Sequence, residues 1–277
     1  MTRARSVYIE RDGVSLHALD HGGEGKPILL LLHGAAAHAH WWDSIVPEFA
    51  GRFRSVAVDL RGHGDSGWAK DYTLEAYGED LEAWLDWARR EAGAPPHILA
   101  HSMGGAIALE LHKRRPPDIR TLIVVDVPLR IGEKILEEIH RFGRNPSRPW
   151  ASPDIYVQKF RLELSSGNAD PDTVAHLVRH SLRPLKDGAW ILKMDKSFHL
   201  DRRPTDLRPC WKSVRAPAML IAGEISDRLT RDDLDWIRRE CPQVRVDVIP
   251  AAHHHVFLDE PEAFLRSVRD FQSAGFS

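Results

Sequence analysis

Two kinds of segment alternate along most of the chain. Short, continuous apolar runs of the kind found in buried strands recur, and stretches with a helical period of apolar positions lie between most of them. The predicted strands are Ile28–Leu32, Val56–Leu60, Ile98–Ala100, Leu122–Val127, Ala218–Ala222 and Val244–Ile249, and the predicted helices include Leu74–Arg90, Met103–Arg114 and Arg231–Glu240. This alternation indicates an α/β fold with a mostly parallel sheet that helices cover on both faces.

The pattern differs at the beginning of the chain and in its middle. Ser6–Arg11 and Ser15–Asp20 alternate between apolar and polar positions around Asp12-Gly13, which predicts an N-terminal antiparallel hairpin. Between Pro128 and Val214 the strand–helix alternation stops, and no convincing strand is found. We therefore predict a core formed by residues 1–127 and 215–277, with residues 128–214 inserted as a helical cap over the sheet. The helices predicted in this cap are Ile131–Phe142, Pro153–Ser165 and Pro171–Leu182.

Composition narrows the function classes. The chain has 277 residues, and its 38 Lys and Arg nearly balance its 40 Asp and Glu, which gives no reason to expect a nucleic acid or a membrane surface as partner. Its apolar runs are too short for a secretory signal or a membrane span. The two cysteines, Cys210 and Cys241, do not suggest a disulfide scaffold. We expect a cytoplasmic protein that acts on a small molecule.

The segment His97–Gly105, with the sequence HILAHSMGG, carries the strongest chemical signal. Ser102 lies between a buried strand and a helix, with a glycine two residues further on, which is typical of a nucleophile elbow. The sharp turn exposes the hydroxyl, and the N-terminus of the next helix favours negative charge beside it. A serine N-cap would give a similar local pattern.

Further motifs follow the predicted strands: HGAAAHAHWW from His33, DLRGHGDSG from Asp59, GEISD from Gly223, and PAAHHHVFLDEPEAF from Pro250. Together with AHSMGG, this set resembles the α/β-hydrolase superfamily from about residue 6 to the end of the sequence. The resemblance implies that His254 is the catalytic base. Two positions depart from the usual pattern, because Ala100 replaces the first glycine of G-x-S-x-G and His253 replaces the glycine before the base.

The resemblance leaves more than one candidate for the triad acid. Asp126 ends a predicted strand and Asp227 follows another, and superfamily members present the carboxylate from both positions. Glu224 is a weaker third candidate. We favour Asp227, because GEISD resembles the acid loop of most serine members and Asp126 has a ready structural role at the turn into Pro128.

The resemblance also implies a mechanism that needs no cofactor. His254 takes the proton of Ser102 as the hydroxyl attacks a carbonyl, and the backbone N–H groups of Ala35 and Met103 hold the oxyanion. The consecutive His253, His254 and His255, with His38 and His40, could suggest a metal site, but adjacent residues rarely point at one ion and no acidic or cysteine ligand pattern accompanies them, so no catalytic metal is expected.

Several reactions fit the same triad. Haloalkane dehalogenases and epoxide hydrolases of this fold use aspartate at the position of Ser102, so they are disfavoured. Hydrolysis of a carboxylic ester or lactone of a small, largely apolar substrate is the first hypothesis, by a carboxylesterase-like serine hydrolase. The alternatives are amide cleavage, carbon–carbon bond hydrolysis and cofactor-free perhydrolysis, and a ligand receptor of the same fold is a hypothesis from another class.

Aromatic residues are the predicted determinants of substrate choice. Those expected to line the substrate pocket are Trp42, Trp150, Tyr156 and Trp190, and Phe160 and Phe198 are further candidates in the cap. For any single aromatic residue of the cap, packing in the cap's own core is the simpler role.

Overall fold

The computed structural model describes residues 4–116, 118–162 and 168–273. The strands are β1 Arg5–Arg11, β2 Val14–Asp20, β3 Ile28–Leu32, β4 Arg54–Val58, β5 His97–His101, β6 Leu122–Val125, β7 Arg130–Ile131, β8 Leu182–Pro184, β9 Trp190–Leu192, β10 Thr205–Asp206, β11 Ala218–Gly223 and β12 Val244–Ile249. The helices are α1 Val46–Phe49, α2 Leu74–Ala92, α3 Met103–Arg114, α4 Glu133–Arg144, α5 Pro153–Lys159, α6 Pro171–His180, α7 Arg208–Ser213, α8 Arg231–Glu240, α9 Val256–Asp259 and α10 Pro261–Ser273.

Eight strands form one sheet in the order β1-β2-β4-β3-β5-β6-β11-β12. β1 and β2 pair antiparallel, and β2 also pairs antiparallel with β4, whereas every later pair is parallel. Asp12 and Gly13 both have positive φ in the tight turn that joins β1 to β2, as the Asp-Gly pair predicts. The predicted N-terminal hairpin and mostly parallel sheet are confirmed.

The central strands are apolar throughout because both faces of the sheet are covered. In β3, Leu30 and Leu32 point into the core on one face of the sheet, while Leu29 and Leu31 belong to the core on the other. Helices α2 and α3 cover the first face, and α9 and α10 cover the second. The carboxyl ends of β5, β6 and β11, which are neighbours in the sheet, therefore open at one edge, where their loops meet.

The segment between β6 and β11 contains helices α4, α5 and α6, close to three predicted helices. The predicted helix Pro153–Ser165 corresponds to α5, which ends at Lys159. Residues 163–165 of that prediction lie outside the described residues. The expectation that this segment has no strands was wrong. It contains two ribbons of two strands each, β7 with β10 and β8 with β9, and strands of two or three residues are too short to show alternation in a sequence.

Helix α7 lies before residue 215 but packs against α3 of the core. The Cys210 thiol contacts the Glu110 carboxylate across this interface at 3.1 Å. In the described parts of the chain, no helix combines the length and the apolar character that crossing a bilayer requires.

Candidate active site

Ser102 lies at the junction of β5 and α3, in a backbone conformation that is rare for a residue with a side chain. Its φ is 49° and its ψ is −114°, so the chain turns sharply and α3 starts at the next residue. The turn also requires a glycine at position 104, because a Cβ there would lie 2.7 Å from the Leu32 carbonyl oxygen. The local sequence therefore holds the Ser102 hydroxyl above the carboxyl end of the sheet.

His254 approaches Ser102 from the loop that follows β12. Its Nε2 lies 3.0 Å from the Ser102 Oγ, and its Nδ1 lies 2.7 Å from Oδ2 of Asp126. The ring is buried, with 5% of the residue exposed. The His101 ring donates from Nε2 to the backbone carbonyl of His254 at 3.0 Å, so the residue before Ser102 fixes the loop that carries His254.

Asp126 is the carboxylate that contacts His254, and Asp227, the candidate favoured from the sequence, does not contact it. Asp126 ends β6 with φ 47°, which turns its fully buried side chain toward His254. The Asp227 side chain is 66% exposed and pairs with its neighbour Arg228 at 2.8 Å. Glu224 accepts from the backbone N–H of Ala251 and also does not face the histidine.

Sequence analysis missed Ser226, which belongs to this site. Its hydroxyl donates to Oδ2 of Asp126 at 2.6 Å, and the backbone N–H of Gly223 donates to Oδ1 at 3.1 Å. The GEISD turn therefore contributes to the site through Ser226, which orients the carboxylate of Asp126. The aspartate that the motif suggested, Asp227, is the next residue. The only sequence signal for this role is a serine in a turn after a strand next to β6.

The loop from Gly34 to Ala37 lies against the Ser102 elbow. A Cβ at Gly34 would lie 2.8 Å from Nδ1 of His101 and 3.2 Å from Cβ of Ser102, so only glycine allows this approach. The backbone N–H of Ala36 donates to Nε2 of His63 at 3.3 Å. Burial lowers the pKa of His63 to about 3, so its ring is neutral and its Nε2 can act as an acceptor.

The glycine-rich DLRGHGDSG segment supports this loop through Asp59. Its carboxylate accepts from the Ala39 backbone N–H at 2.6 Å, from the Asp65 N–H at 2.9 Å and from His17 Nδ1 at 2.7 Å. A Cβ at Gly64 would lie only 2.2 Å from that carboxylate. The segment therefore has a structural role.

A cavity of about 680 Å³ opens beside Ser102. Its core side includes Ala35, Trp41, Met103 and His254, and most of its apolar wall comes from residues 128–214. The apolar and aromatic residues of that segment that line it are Pro128, Leu129, Ile131, Ile135, Ile139, Phe142, Tyr156, Phe160, Leu162, Leu177, Val178, Leu192 and Met194. Ala35 and Met103, the predicted oxyanion residues, both border the cavity next to Ser102.

The structure places only one of the four predicted pocket aromatics, Tyr156, in the cavity wall. Trp42 is fully buried and stacks on Phe257 at 4.6 Å between ring centroids, while its neighbour Trp41 lines the cavity instead. Trp150 and Trp190 pair through their backbones outside the wall. The Trp150 ring packs against Tyr156 at 4.7 Å and supports it from behind.

Of the two further candidates, Phe160 and Phe198, only one lies in the cavity wall. Phe160 lines the cavity. Phe198 is fully buried, with its ring 4.4 Å from His63 and 6.5 Å from Tyr72. Phe198 therefore joins residues 128–214 to the rest of the chain and is not among the residues that line the cavity.

Helix α4 turns part of its apolar surface toward the cavity. Leu136 is its one buried residue, whereas Ile135 and Phe142, which line the cavity, are 42% and 45% exposed. Gly143 brings α4 close to the 3₁₀ turn Lys196–His199, since a Cβ there would lie 2.8 Å from that of His199.

Comparison with known proteins identifies the family. The sequence profile of the alpha/beta hydrolase family matches residues 29–267, so the chain belongs to this family. It is 24% identical to 2-(acetamidomethylene)succinate hydrolase of Mesorhizobium japonicum, over 98% of this chain and 95% of that protein. It is 27% identical to an esterase of Mycobacterium tuberculosis, over 92% of this chain and 85% of that protein. It is also 27% identical to pimeloyl-(acyl-carrier protein) methyl ester esterase of Nitrosomonas europaea, over 91% and 97% of the two chains.

Solved structures show the same fold. The crystal structure of E-2-(acetamidomethylene)succinate hydrolase superimposes with a TM-score of 0.83 over 98% of this chain and all of that one, at 22% identity. The thioesterase domain from the curacin biosynthetic pathway gives 0.80 over 96% and 99%, at 19% identity. The predicted α/β-hydrolase fold is confirmed, and so is the prediction, at the level of the family, of an enzyme that hydrolyses ester bonds.

Proposed function

We propose that Ser102, His254 and Asp126 form the catalytic triad of an enzyme that hydrolyses carboxylic esters. The observation that carries the proposal is the unbroken hydrogen-bond chain from the Ser102 hydroxyl through the His254 ring to the Asp126 carboxylate, with distances of 3.0 and 2.7 Å. Nucleophile, base and orienting carboxylate within hydrogen-bond reach at the edge of a cavity are the arrangement that acyl transfer requires.

The reaction proceeds in two halves. The Ser102 oxygen attacks the ester carbonyl while Nε2 of His254 takes its proton, and the same proton then passes to the departing alkoxide, which leaves the acyl group on Ser102. A water attacks this acyl-enzyme, gives its proton to His254, and the proton returns to Ser102 as the acid is released. Asp126 keeps the ring in the tautomer with hydrogen on Nδ1 and stabilises its cation.

We further propose that the backbone N–H groups of Ala35 and Met103 hold the oxyanion. Both residues border the cavity beside Ser102, and the forced proximity of Gly34 to the elbow supports this placement. Each such donor contributes about 3–4 kcal/mol to transition-state stabilisation in comparable sites. Residues 128–214 serve as the cap that selects the acyl group, because they provide most of the apolar wall.

Arg202 indicates an acidic group on the substrate. Its guanidinium lies in the cavity wall and donates to the Met103 sulfur at 3.3 Å, and no carboxylate pairs with it among the described residues. Burial lowers the pKa of Arg202, but a guanidinium stays charged at neutral pH, so this cation lacks a counter-ion. His199, also in the wall, has both ring nitrogens buried without a hydrogen-bond partner. A substrate carboxylate in the cavity would supply the counter-ion that Arg202 lacks.

The name of one relative fits this proposal. It acts on a succinate derivative, and succinate is a dicarboxylate. For this chain we propose an apolar acyl chain with an acidic group, bound as a small-molecule ester.

Activity-based labelling tests the proposed triad. A fluorophosphonate should attach to Ser102, as peptide mapping would show, and Ser102→Ala should remove both the label and the hydrolysis of p-nitrophenyl esters. Label on another residue of the active enzyme would contradict the triad. A parallel panel of lactones, amides, a carbon–carbon hydrolase substrate and peracid formation separates ester hydrolysis from the alternatives, and repeated turnover separates an enzyme from a receptor.

Matched substrates test the role of Arg202. Two p-nitrophenyl esters of equal acyl length, one ending in a carboxylate and one in a methyl ester, should differ in kcat/KM in favour of the carboxylate. Arg202→Met keeps the unbranched stem and removes the charge, so this preference should fall by about 10-fold or more, the value of a buried charge-assisted hydrogen bond. An unchanged ratio would show that Arg202 does not bind substrate.

A further inference from the structure

Four polar side chains from two distant parts of the sequence meet beside the cavity, and we refer to them as the His40 cluster. His40 and Asp43 lie in and directly after the 3₁₀ turn Ala39–Trp42, in the core. His176 and His180 lie four residues apart on α6, so they share one face of that helix, one turn apart. The His40 cluster therefore connects the core to the cap segment.

The ring nitrogens of the cluster converge. One nitrogen from each of His40, His176 and His180 lies within 4.8 Å of the other two. The His180 ring centroid lies 3.8 Å from that of His40 and 4.2 Å from that of His176. Oδ2 of Asp43 contacts both Nδ1 of His40, at 2.8 Å, and Nε2 of His176, at 2.7 Å. Three imidazole nitrogens thus lie close together, and the Asp43 carboxylate contacts two of the three rings.

Two further features of the cluster are typical of a ligand site. His180 donates from Nδ1 to the His176 carbonyl oxygen at 2.9 Å, which leaves the lone pair on Nε2, as the second nitrogen of a metal-binding histidine usually requires. The other carboxylate oxygen of Asp43, Oδ1, is buried and has no hydrogen-bond partner. Nε2 of His21 lies 3.9 Å from it and also lacks a hydrogen-bond partner.

We propose that the His40 cluster binds a divalent transition-metal ion of the Zn²⁺ type. The three imidazole nitrogens supply three ligands of the tetrahedral set that such an ion prefers, and the Asp43 carboxylate, which contacts two of the rings, would supply the fourth on rotating toward the ion. Ligand atoms around a tetrahedral Zn²⁺ lie about 3.3 Å from one another, so the rings must move together by rotamer adjustments of about 1 Å. The protons that His40 and His176 share with Asp43 leave or move to the other ring nitrogen on binding.

The ion would join α6 to the core at the side of the cavity. Leu177, Val178 and Ser181, next to the two helix histidines, line the cavity, and the Leu177 carbonyl already accepts from Nε2 of His38 in the core. The cluster histidines are not themselves among the cavity-lining residues. The bound ion is therefore structural for the cap segment and takes no part in the chemistry at Ser102.

The test uses the full chain without a polyhistidine tag. Isothermal titration with Zn²⁺ should give one site per chain, and Co²⁺ should give the visible absorption of tetrahedral nitrogen and oxygen coordination. Zn²⁺ should also raise the thermal unfolding midpoint. The double variant His176→Gln, His180→Gln should weaken Zn²⁺ binding by about 100-fold or more and remove the midpoint shift.

Two further variants keep the result specific. His140→Gln removes another half-buried histidine of the cap segment and should bind Zn²⁺ like the wild type. His254→Gln removes the proposed catalytic base and should also retain the site. Loss of binding in His254→Gln with retention in the double variant would place the ion at the triad and overturn the proposal, as would the absence of a stoichiometric site in the wild type.

Discussion

Exchange of Asp126 for asparagine tests the arrangement of the triad most directly. The Asp126 carboxylate accepts from Nδ1 of His254, from the Ser226 hydroxyl and from the Gly223 backbone N–H, all within 3.1 Å. An asparagine keeps one oxygen and places an NH₂ group at the other position. With the NH₂ toward the ring, His254 must present its lone pair at Nδ1, which puts the ring hydrogen on Nε2.

That tautomer cannot take the Ser102 proton, so the loss falls on the chemical step. Triads with this defect lose about 10⁴ in kcat, which corresponds to about 5.4 kcal/mol of transition-state stabilisation. The free energy of unfolding should fall less, by about 1–3 kcal/mol, because the asparagine NH₂ group cannot accept the buried hydrogen bonds that the replaced carboxylate oxygen accepts. Asp227→Asn disrupts only an exposed pair with Arg228, which contributes at most about 1 kcal/mol, so its kcat should stay near the wild-type value.

The assay is the kcat of both variants on one p-nitrophenyl ester, with circular dichroism and urea unfolding to confirm the fold. Single-turnover measurements would show whether formation of the acyl-enzyme is slowed. A folded Asp126→Asn variant with near-normal kcat, beside an inactive Asp227→Asn variant, would refute the geometry of the site as described.

Three further variants follow from the site. Ser226→Ala removes the hydroxyl that donates to the triad carboxylate, so kcat should fall by about 10-fold with little change in fold, and an unchanged kcat would deny it a positioning role. Gly34→Ala should cost about 1–3 kcal/mol of stability and reduce kcat, because its Cβ would meet the Ser102 elbow, whereas Gly51→Ala, with no atom within 4 Å, should be neutral in urea unfolding and in turnover. The pKa of His63 is about 3 when folded against 6.5 when unfolded, so the unfolded chain binds more protons between these values. Stability should be complete above pH 6.5 and fall toward pH 3 by up to about 1.4 kcal/mol per pH unit, and urea titrations of His63→Asn should show a shallower slope.

Sequence analysis located Ser102 and His254 because their signals are local. A buried strand, a serine and a helix with glycines must form a sharp turn wherever the rest of the chain goes, and the resemblance of the last loop supplied the histidine. The hairpin at Asp12-Gly13 and the core strands were equally local. These features depend on a few consecutive residues, so the sequence displays them directly.

The acid and the pocket depend on distant residues. Asp126 and Asp227 both follow strands, and β6 and β11 are neighbours, so both lie near the same edge of the sheet. What separates them is the positive φ of Asp126 and the position of Ser226, and neither can be read from composition or period. Trp41 lines the cavity instead of the predicted Trp42 for a similar reason, because consecutive residues in a 3₁₀ turn point to different sides.

The exposed apolar face of α4 links the stability of the cap to the occupancy of the enzyme. Ile135 and Phe142 are 42% and 45% exposed in the free chain, and an acyl group in the cavity would remove part of this surface from water at about 25 cal/mol per Å². While the acyl-enzyme exists, the bound acyl group would therefore cover apolar surface of α4 that is exposed in the free chain. Amide hydrogens of α4 should accordingly exchange more slowly in a chain acylated at Ser102 than in the free chain, while those of β3, buried on both faces in either state, should not change.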